Sequence, residues 1–441
     1  MFSKEDLKKL IFPLIVEQLL AVTIGIADAV MVASVGQSAI SGVSLVDSVN
    51  LLLINILAAL ATGGAVVASQ CLGRGEPWRA CTAAKQLIFS CGVLAALLAA
   101  LALAFRGALL GALFGSVEAD VMRNAQTYFF FSALSYPFIA VYNAGAALFR
   151  TMGNSRISML TSAGMNLINV AGNAVLIFGF SMGVAGAAIA TLASRIIGSA
   201  AMVALLRRPS GVIFVRDWRQ FRLDFGMIKS IFRIGIPTGL ENGMFQIGKV
   251  LVSSLVATFG TAAVAANSVA GNIGSFAIIP GSAIGLAMIT VVGQCVGARD
   301  YAQARAYTRK LMFIAYTGIA ALNLLVIVLC RPIVGIYDLP AETAALAVQL
   351  LLWHSVFCMT IWPAAFTLPN ALRAGNDVRF TMTVSVFSMW TFRIVFSYIL
   401  GRWLEMGVLG VWIAMFIDWV FRMVLFIWRF HGHRWEQKQV L

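Results

Sequence analysis

The chain has 441 residues, of which 60% are hydrophobic and only 11% are charged, and its mean hydropathy is +0.90. A water-soluble domain of this composition could not cover its surface with polar groups, so that class of protein is excluded. The formal net charge of +14 is compatible with a nucleic-acid partner, but the basic residues are distributed as topological signals, so we expect no such partner.

Hydropathy predicts twelve transmembrane helices, because apolar runs of about 20 residues, the length that crosses a bilayer, recur along the chain. The predicted helices span residues 11–35, 44–70, 86–113, 127–149, 160–180, 184–206, 234–259, 268–294, 311–336, 344–370, 380–401 and 406–430. The first run is too long for a signal-peptide core and contains Glu17 and Asp28, so we expect the mature protein to retain it. The sequence therefore predicts an all-α polytopic membrane protein.

The basic residues predict the orientation of these helices. With the N-terminus inside, 25 of the 32 Lys and Arg residues fall on cytoplasmic segments, four fall outside, and Arg195, Lys249 and Arg393 remain within the membrane. This bias follows the positive-inside rule. We therefore expect both termini to be cytoplasmic, in the inner or plasma membrane of a bacterium, with lipid head groups as contacts.

The two halves of the sequence are related by a shift of 224 residues. They align without gaps from Pro13 and Pro237 to Leu87 and Leu311. Each half has six predicted helices, an even number, so the halves run in the same direction, as parallel repeats do. We predict two six-helix bundles, over 1–206 and 234–441, joined by a cytoplasmic linker over 207–233. Facing bundles leave a cavity that can open alternately to either side, which favours a transporter.

Several motifs, in order along nearly the whole chain, resemble the multidrug and toxic compound extrusion (MATE) transporters. The first is Phe12-Pro13 followed by the segment 27–36, which is similar to that family's first helix. The others lie in or beside helices 2, 4, 5, 6 and 10, and they span residues 70–75, 149–153, 169–173, 178–179, 183–191 and 372–376. Each motif is weak alone, but together they are specific.

The resemblance implies an antiporter that exports cationic, aromatic or lipophilic drugs and toxic compounds in exchange for H+ or Na+. It implies no cofactor, and we expect a monomer. In the family, an aspartate 15 residues after the first-helix proline belongs to a cation site in the N-terminal half; here this is Asp28. Asn169, Asn173 and Thr191 match its other members. Many relatives have a second aspartate where this chain has Asn173, which leaves the choice between Na+ and H+ open.

The residues themselves also point to Asp28. A carboxylate inside a membrane helix is costly unless it is paired, hydrated or protonated, so it marks a functional site by default. Asn169 and Asn173 are four residues apart and share one helix face. The structural alternative is that Asp28 only binds helix ends and water. No other metal site is predicted, since the six cysteines form no metal-binding spacing.

The second half carries a different set of polar residues within its predicted helices: Glu241, Gln246, Lys249, His354 and Arg393. Asn242, Gln246 and Lys249 are spaced as one helical stripe, which should face a cavity rather than lipid. Glu241 either binds a cation or a cationic substrate, or it pairs with Lys249 or Arg393. We expect His354 to be packed and hydrogen-bonded, with a proton relay as the alternative. We expect Asp418 to pair with Arg422. The stretch 362–372 has no acid, which argues against a sodium site there of the kind found in the NorM-like branch.

Four further residues have structural interpretations. We expect Pro13 and Pro237 to lie in the first turns of helices 1 and 7, where proline is tolerated. The family resemblance implies an alternative, in which helix 1 bends at Pro13. Glu17 and Asp47 are expected to be structural acids near helix starts.

Other classes of function have less support. The sequence contains no Walker A loop and no catalytic motif, so we expect neither an ATP-driven pump nor an enzyme. Two alternatives remain open. The first is a flippase for a lipid-linked saccharide, which a cationic cavity with Lys249 and Arg393 would favour. The second is a channel without coupled transport.

Overall fold

The computed structural model describes residues 2–115, 117–209, 211–216, 218 and 221–438. These residues are almost entirely helical, which confirms the all-α prediction. Ten helical segments are long and apolar enough to cross a membrane. The chain divides into two compact units, one ending at Gly239 and the other beginning at Leu240.

Among the described residues, the first unit contains seven α-helices in addition to the first part of the helix Phe225–Ala257. They are α1 (Lys4–Ala33), α2 (Gln37–Gly73), α3 (Pro77–Ala104), α4 (Arg106–Phe114), α5 (Ala119–Thr151), α6 (Ser155–Asn173), which continues as a π-helical segment (Ala174–Gly179), and α7 (Gly183–Leu206). Helix α5 packs against α2, α3 and α7, while α1 packs on α6. The contact between α2 and α5 is close because Gly42 has no side chain; a Cβ there would lie 2.8 Å from the carbonyl oxygen of Val121.

The other eight α-helices begin with α8 (Phe225–Ala257), whose first part belongs to the first unit. The second unit continues with α9 (Thr261–Ala277), α10 (Ile279–Gly297), α11 (Tyr301–Gly335), α12 (Ala341–Thr360), α13 (Pro369–Ala374), α14 (Val378–Ser388) and α15 (Gly407–His431). Three π-helical segments interrupt this unit, at Pro363–Thr367, Met389–Val395 and Tyr398–Trp403. Its core includes buried Leu350, Leu351, Phe416 and Trp419.

The described helices fall into twelve groups that match the predicted ones, although some groups are broken. The predicted helix at 268–294 is two helices, α9 and α10, which meet at Ile278, and Pro280 lies in the first turn of α10. The predicted helix at 344–370 is interrupted by a π-helical segment between Pro363 and Thr367, before α13. Each break lies beside a proline, Pro280 or Pro363. Proline has no backbone N–H to donate, so it interrupts the helical hydrogen-bond pattern at that point.

Helix α1 begins earlier than predicted, and this changes the position of Pro13. Ser3 caps the helix: the Asp6 N–H donates to Ser3 Oγ (3.1 Å), and the Ser3 N–H donates to Asp6 Oδ2 (2.8 Å), which together form a capping box. Pro13 and Pro237 therefore lie inside α1 and α8. The prediction that they occupy first turns was wrong.

The 224-residue repeat is confirmed in the backbone of the two units. Helix α2 begins at Gln37 and ends at Gly73, and the pair α9 and α10 covers 261–297, which is the same range shifted by 224. Positive φ angles recur at the same offset, for example at Gly36 (143°) and Gly260 (100°), and at Ser181 (53°) and Glu405 (55°). The turn after the fourth helix of each half is offset by 223 residues, at Gly153 and Asn376.

Candidate functional sites in the two units

The first unit contains a cavity of about 600 Å³ that holds the predicted cation-coupling residues. Its lining includes Asp28, Asn173 and Thr191. The cavity has the size of a typical small-molecule site. Asn169 lies beside it, buried and bonded to Asn173 and Thr191.

Asp28 and the two asparagines form one hydrogen-bonded group. Asn173 Nδ2 donates to Asp28 Oδ1 at 2.6 Å. One end of the Asn169 amide lies 2.7 Å from Asp28 Oδ1 and 3.1 Å from Oδ2, and the other end lies 3.0 Å from Thr191 Oγ1. The four residues come from α1, α6 and α7, so the structure brings together the complete predicted set.

Asp47 is a second carboxylate in this cavity, and its predicted position was wrong. Helix α2 begins at Gln37, so Asp47 lies well inside the helix rather than in its first turn. It lines the same cavity as Asp28, and the two carboxylates are close enough for their negative charges to repel each other. Asn50 Nδ2 donates to Asp47 Oδ1 at 3.3 Å, and the Tyr128 hydroxyl also bonds to Asp47.

Arg195 supplies a positive charge to the same cavity. Its guanidinium donates to Ser135 Oγ at 2.6 Å, and it lies near both Asp28 and Asp47. The sequence places Arg195 within the membrane but does not reveal its partners, because Asp28, Asp47 and Arg195 are on three helices with no local spacing in common. The cavity is therefore a mixed charge network rather than an isolated aspartate.

Glu17 lies at another edge of this cavity and is paired. It accepts a hydrogen bond from Ser158 Oγ (2.6 Å) and lies 3.7 Å from Arg150. Three acids, Glu17, Asp28 and Asp47, thus face two arginines, Arg150 and Arg195, which leaves this part of the first unit with one excess negative charge.

Pro13 has a specific partner on α6. Proline has no N–H, so the carbonyl oxygen four residues earlier, that of Lys9, loses its helical bond. Ser155 Oγ lies 3.1 Å from the Lys9 oxygen and 2.6 Å from the Leu10 oxygen, and it can donate to either. A side chain from another helix thus replaces the bond that the proline removes.

In the second unit, Glu241 is paired with a residue that we did not predict. Arg373 donates to Glu241 Oε1 at 2.7 Å, and the two side chains are only 12% and 9% exposed. Our expectation of a partner at Lys249 or Arg393 was wrong, because α13, which carries Arg373 in its last turn, brings that side chain to α8 instead. Glu241 and Asn242 line a small cavity of about 200 Å³ with Arg373.

Lys249, His354 and Arg393 line a second, larger cavity of about 360 Å³. His354 is packed edge-on between Trp412 (5.8 Å between ring centres) and Trp419 (5.6 Å). Its packing was predicted, and among the described residues its Nδ1 has no hydrogen-bond partner.

The predicted polar stripe on α8 is only partly correct. Lys249 lines the larger cavity and Asn242 the smaller one, but Gln246 lines neither. Phe245 occupies the cavity-facing position between them, so the lining side of α8 is rotated relative to the prediction. The pairing of Asp418 with Arg422 is confirmed at 2.8 Å.

The larger cavities of the two units are formed by equivalent positions of the repeat. Asp28 and Asp47 line the first, and their counterparts Val252 and Gly271 line the second. Arg195 likewise corresponds to Trp419. Duplication has preserved the two cavities, whereas their charged residues differ.

Comparison with known proteins agrees with this architecture. A family model described as MatE matches residues 13–175 and 237–399, two ranges with the same 224-residue offset. The chain is 25% identical over 462 aligned positions to a probable multidrug resistance protein NorM of Thermotoga maritima, covering 99% of this chain and 94% of that protein. It is also 25% identical to the uncharacterized transporter YisQ of Bacillus subtilis, covering 98% and 95% of the two chains.

Solved structures have the same fold. A multidrug resistance MATE family transporter of the MOP superfamily, in an outward-facing conformation, gives a TM-score of 0.90 at 20% identity over 98% of this chain and 96% of that one. A MOP superfamily transporter from Pyrococcus furiosus Vc1 gives 0.91 at 19% identity over 99% and 97%. With the family model matching most of the sequence, the chain is a multi-pass membrane transporter of the MATE family and not an enzyme.

Proposed function

We propose that this protein is a secondary active antiporter, which exports cationic or lipophilic drugs and toxic compounds by alternating access in exchange for H+ or Na+. The observation that carries the proposal is the group around Asp28. A half-buried carboxylate in a cavity, hydrogen-bonded to Asn173 and facing Asn169, is what a cation-coupling site requires.

The geometry around Asp28 favours a proton as the coupling ion. When Asp28 is ionised, the Asn169 amide can place its nitrogen toward the carboxylate and donate to it. When Asp28 is protonated, the amide can turn over and accept the carboxyl proton with its oxygen, while its nitrogen donates to Thr191. An amide has a donor and an acceptor of almost the same shape, so both arrangements fit the same space. The group can therefore gain and lose one proton without leaving a partner unsatisfied.

Sodium remains the alternative ligand at this site. Carboxylate, amide and hydroxyl oxygens suit hard cations, and Asn169, Asn173 and Thr191 supply the neutral ones beside Asp28. The buried Oδ1 of Asn173 has no hydrogen-bond partner among the described residues, so it is free to bind a cation.

The proposed substrate class rests on the charge and size of the first cavity and on its relatives. The cavity of about 600 Å³ has an excess of acidic residues, which suits a positively charged organic molecule. The relatives from Thermotoga maritima and from Neisseria meningitidis serogroup B are both named probable multidrug resistance proteins NorM.

We also propose that the protein functions as a monomer in the bacterial plasma membrane with both termini in the cytoplasm. The support for this orientation is the distribution of Lys and Arg along the sequence. We further propose that 1–206 and 234–441 act as the two moving bundles, with 207–233 as their linker, and that α1 bends at Pro13 during transport.

The test is dye efflux in everted membrane vesicles, with ethidium as a cationic aromatic probe. A pH gradient and a Na+ gradient are imposed separately on vesicles that contain wild type or Asp28→Asn. We expect the pH gradient to drive efflux in wild type and to fail in Asp28→Asn. Asp120→Asn removes an acid that is 69% exposed and serves as the matched control, with efflux unchanged.

One result would contradict the proposed role of Asp28, and another would contradict the proton as the coupling ion. Undiminished gradient-driven efflux in Asp28→Asn would remove Asp28 from the coupling mechanism. Efflux driven by a Na+ gradient alone would replace the proton with sodium.

A second candidate function has one specific observation in its favour. Lys249 and Arg393 line the same cavity of the second unit, and a cationic cavity suits the diphosphate of a lipid-linked saccharide. Movement of such a lipid across vesicle membranes by wild type, with no efflux of ethidium under either gradient, would favour this flippase function over drug export.

A further inference from the structure

We propose that the larger cavity of the second unit is a binding site for a planar aromatic anion, with one carboxylate on a ring system of two or three rings. The site is separate from the Asp28 cavity of the first unit. The inference goes beyond the coupling function and does not depend on it.

The first argument is charge. Lys249 and Arg393 both line the cavity, and among the described residues no carboxylate does. The nearest acid, Asp418, is fully buried and is already bound by Arg422 (2.8 Å) and by Ser388. Arg393 also lies 3.9 Å from Asp418, so two arginines share this one acid, and together with Lys249 they leave an excess of positive charge around the cavity.

The second argument is the set of unused hydrogen-bond donors around the cavity. In the part of the chain that the structure describes, Lys249 has no ion pair, and buried Arg393 Nε and Trp419 Nε1 have no partner. Trp412, by contrast, donates to Asn267 at 2.9 Å. Buried donors without acceptors are costly. A ligand that brings acceptor oxygens would satisfy them, whereas a cationic ligand would add further donors.

The third argument is the aromatic wall. Trp362 stacks on Phe366 at 5.2 Å with 20° between the ring planes, and Phe366 contacts Trp419 edge-on at 5.9 Å. Together with Trp412, these rings surround the charged residues with flat apolar surface. Such a surface favours a ring system over a flexible polar chain.

The size and lining of the cavity favour a carboxylate over a diphosphate. The volume of about 360 Å³ is near the lower limit for a drug-sized ligand. A diphosphate is more strongly hydrated than a carboxylate, so its transfer into a cavity walled by aromatic rings costs more free energy.

The repeat explains how this site differs from the first cavity. The position of Asp28 is occupied by Val252, and the position of Gly25 by Lys249; all four residues line their respective cavities. The second half of the repeat thus carries a cation, Lys249, about one helical turn from the position where it lacks the acid of the first half. Equivalent cavities consequently have opposite polarity.

The experiment uses the full-length protein in nanodiscs of phosphatidylcholine, a lipid without net charge. Isothermal titration calorimetry compares three probes with the same ring system: 2-naphthoate, naphthalene-2-carboxamide and 2-naphthylmethylammonium. We expect 2-naphthoate to bind at least tenfold more tightly than the other two. Lys249→Gln should weaken 2-naphthoate binding at least tenfold and leave carboxamide binding unchanged, and Lys249→Arg should restore it.

Control variants separate this site from other effects. Lys310→Gln removes an exposed lysine of the same unit and should change nothing. Asp28→Asn should also leave 2-naphthoate binding unchanged, so failure of the coupling proposal and failure of this one are distinguishable.

Each contrary result would overturn the inference. Binding of 2-naphthoate no tighter than that of the carboxamide would show that the cavity does not recognise the anion. Equal binding by wild type and Lys249→Gln would place the anion elsewhere. Tighter Lys249-dependent binding of inorganic pyrophosphate than of 2-naphthoate would identify a phosphate site instead.

Discussion

Asn173 donates a 2.6 Å hydrogen bond to Asp28 across the interface between α6 and α1. The side chain at position 173 is a neutral amide, so Asp28 carries the charge of this hydrogen-bonded group alone. Asp47, which is nearby in the same cavity, is held separately by Asn50 and Tyr128. The coupling behaviour should therefore depend on what stands at position 173.

Asn173→Asp should convert the site toward sodium. A second carboxylate beside Asp28 adds a hard oxygen ligand and a negative charge, and both strengthen binding of a monovalent metal cation. We expect this variant to show ethidium efflux under an imposed Na+ gradient, which wild type should lack. Everted vesicles measure this directly. Asn166→Asp, which adds a carboxylate elsewhere on the lining of the cavity, is the control; sodium-driven efflux in it as well would refute the role of position 173.

Arg195 should stabilise the first unit through Asp47. Removing the guanidinium in Arg195→Gln leaves the cavity acids without their nearby positive charge, so we expect a lower melting temperature in detergent, measured by intrinsic fluorescence. The double variant Asp47→Asn with Arg195→Gln should recover most of the loss, because both charges are then gone. Arg156→Gln, at an exposed position, should leave the melting temperature unchanged. Failure of the double variant to recover would rule out the coupling between Arg195 and Asp47.

The ion pair between Glu241 and Arg373 should be strongly coupled. Both side chains are almost fully buried, so Arg373→Met leaves an uncompensated carboxylate at a cost of about 3–5 kcal/mol. Adding Glu241→Gln should recover most of that stability. A double-mutant cycle from chemical denaturation measures the coupling energy.

The exposed pair of Arg123 and Asp120, at 78% and 69% exposure, is the matched control and should show no measurable coupling. Equal coupling energies in the two pairs would contradict the interpretation of Glu241 as a buried structural acid.

The contribution of Ser155 to the stability of the fold should depend on the proline at position 13. Ser155→Ala removes the donor that serves the carbonyl oxygens of Lys9 and Leu10, at a cost of about 1–3 kcal/mol. In a Pro13→Ala background the restored N–H can bond to Lys9, so the same change should cost much less. Thermal unfolding of the four proteins tests this; an equal cost in both backgrounds would show that Ser155 acts independently of Pro13.

The sequence is sufficient to predict the helices, the repeat and the Asp28 group, and it is least informative about long-range pairing. Asp28, Asn169, Asn173 and Thr191 follow family motifs and helical spacing, so they could be assigned without coordinates. The ion pair of Glu241 with Arg373 joins residues that are 132 positions apart in the sequence. It depends on how α13 is placed against α8, which no local sequence pattern encodes. Asp47 and Pro13 were misplaced because a capping residue and a glycine extend α1 and α2 beyond their apolar cores.

The most direct test of the central claim is proton release on substrate binding. Purified protein in weakly buffered detergent solution is mixed with ethidium, and released protons are followed with a pH-sensitive dye. If Asp28 exchanges a proton for the substrate, wild type should release protons on mixing, and Asp28→Asn should bind ethidium without releasing any. Proton release of the same size from Asp28→Asn would contradict the account.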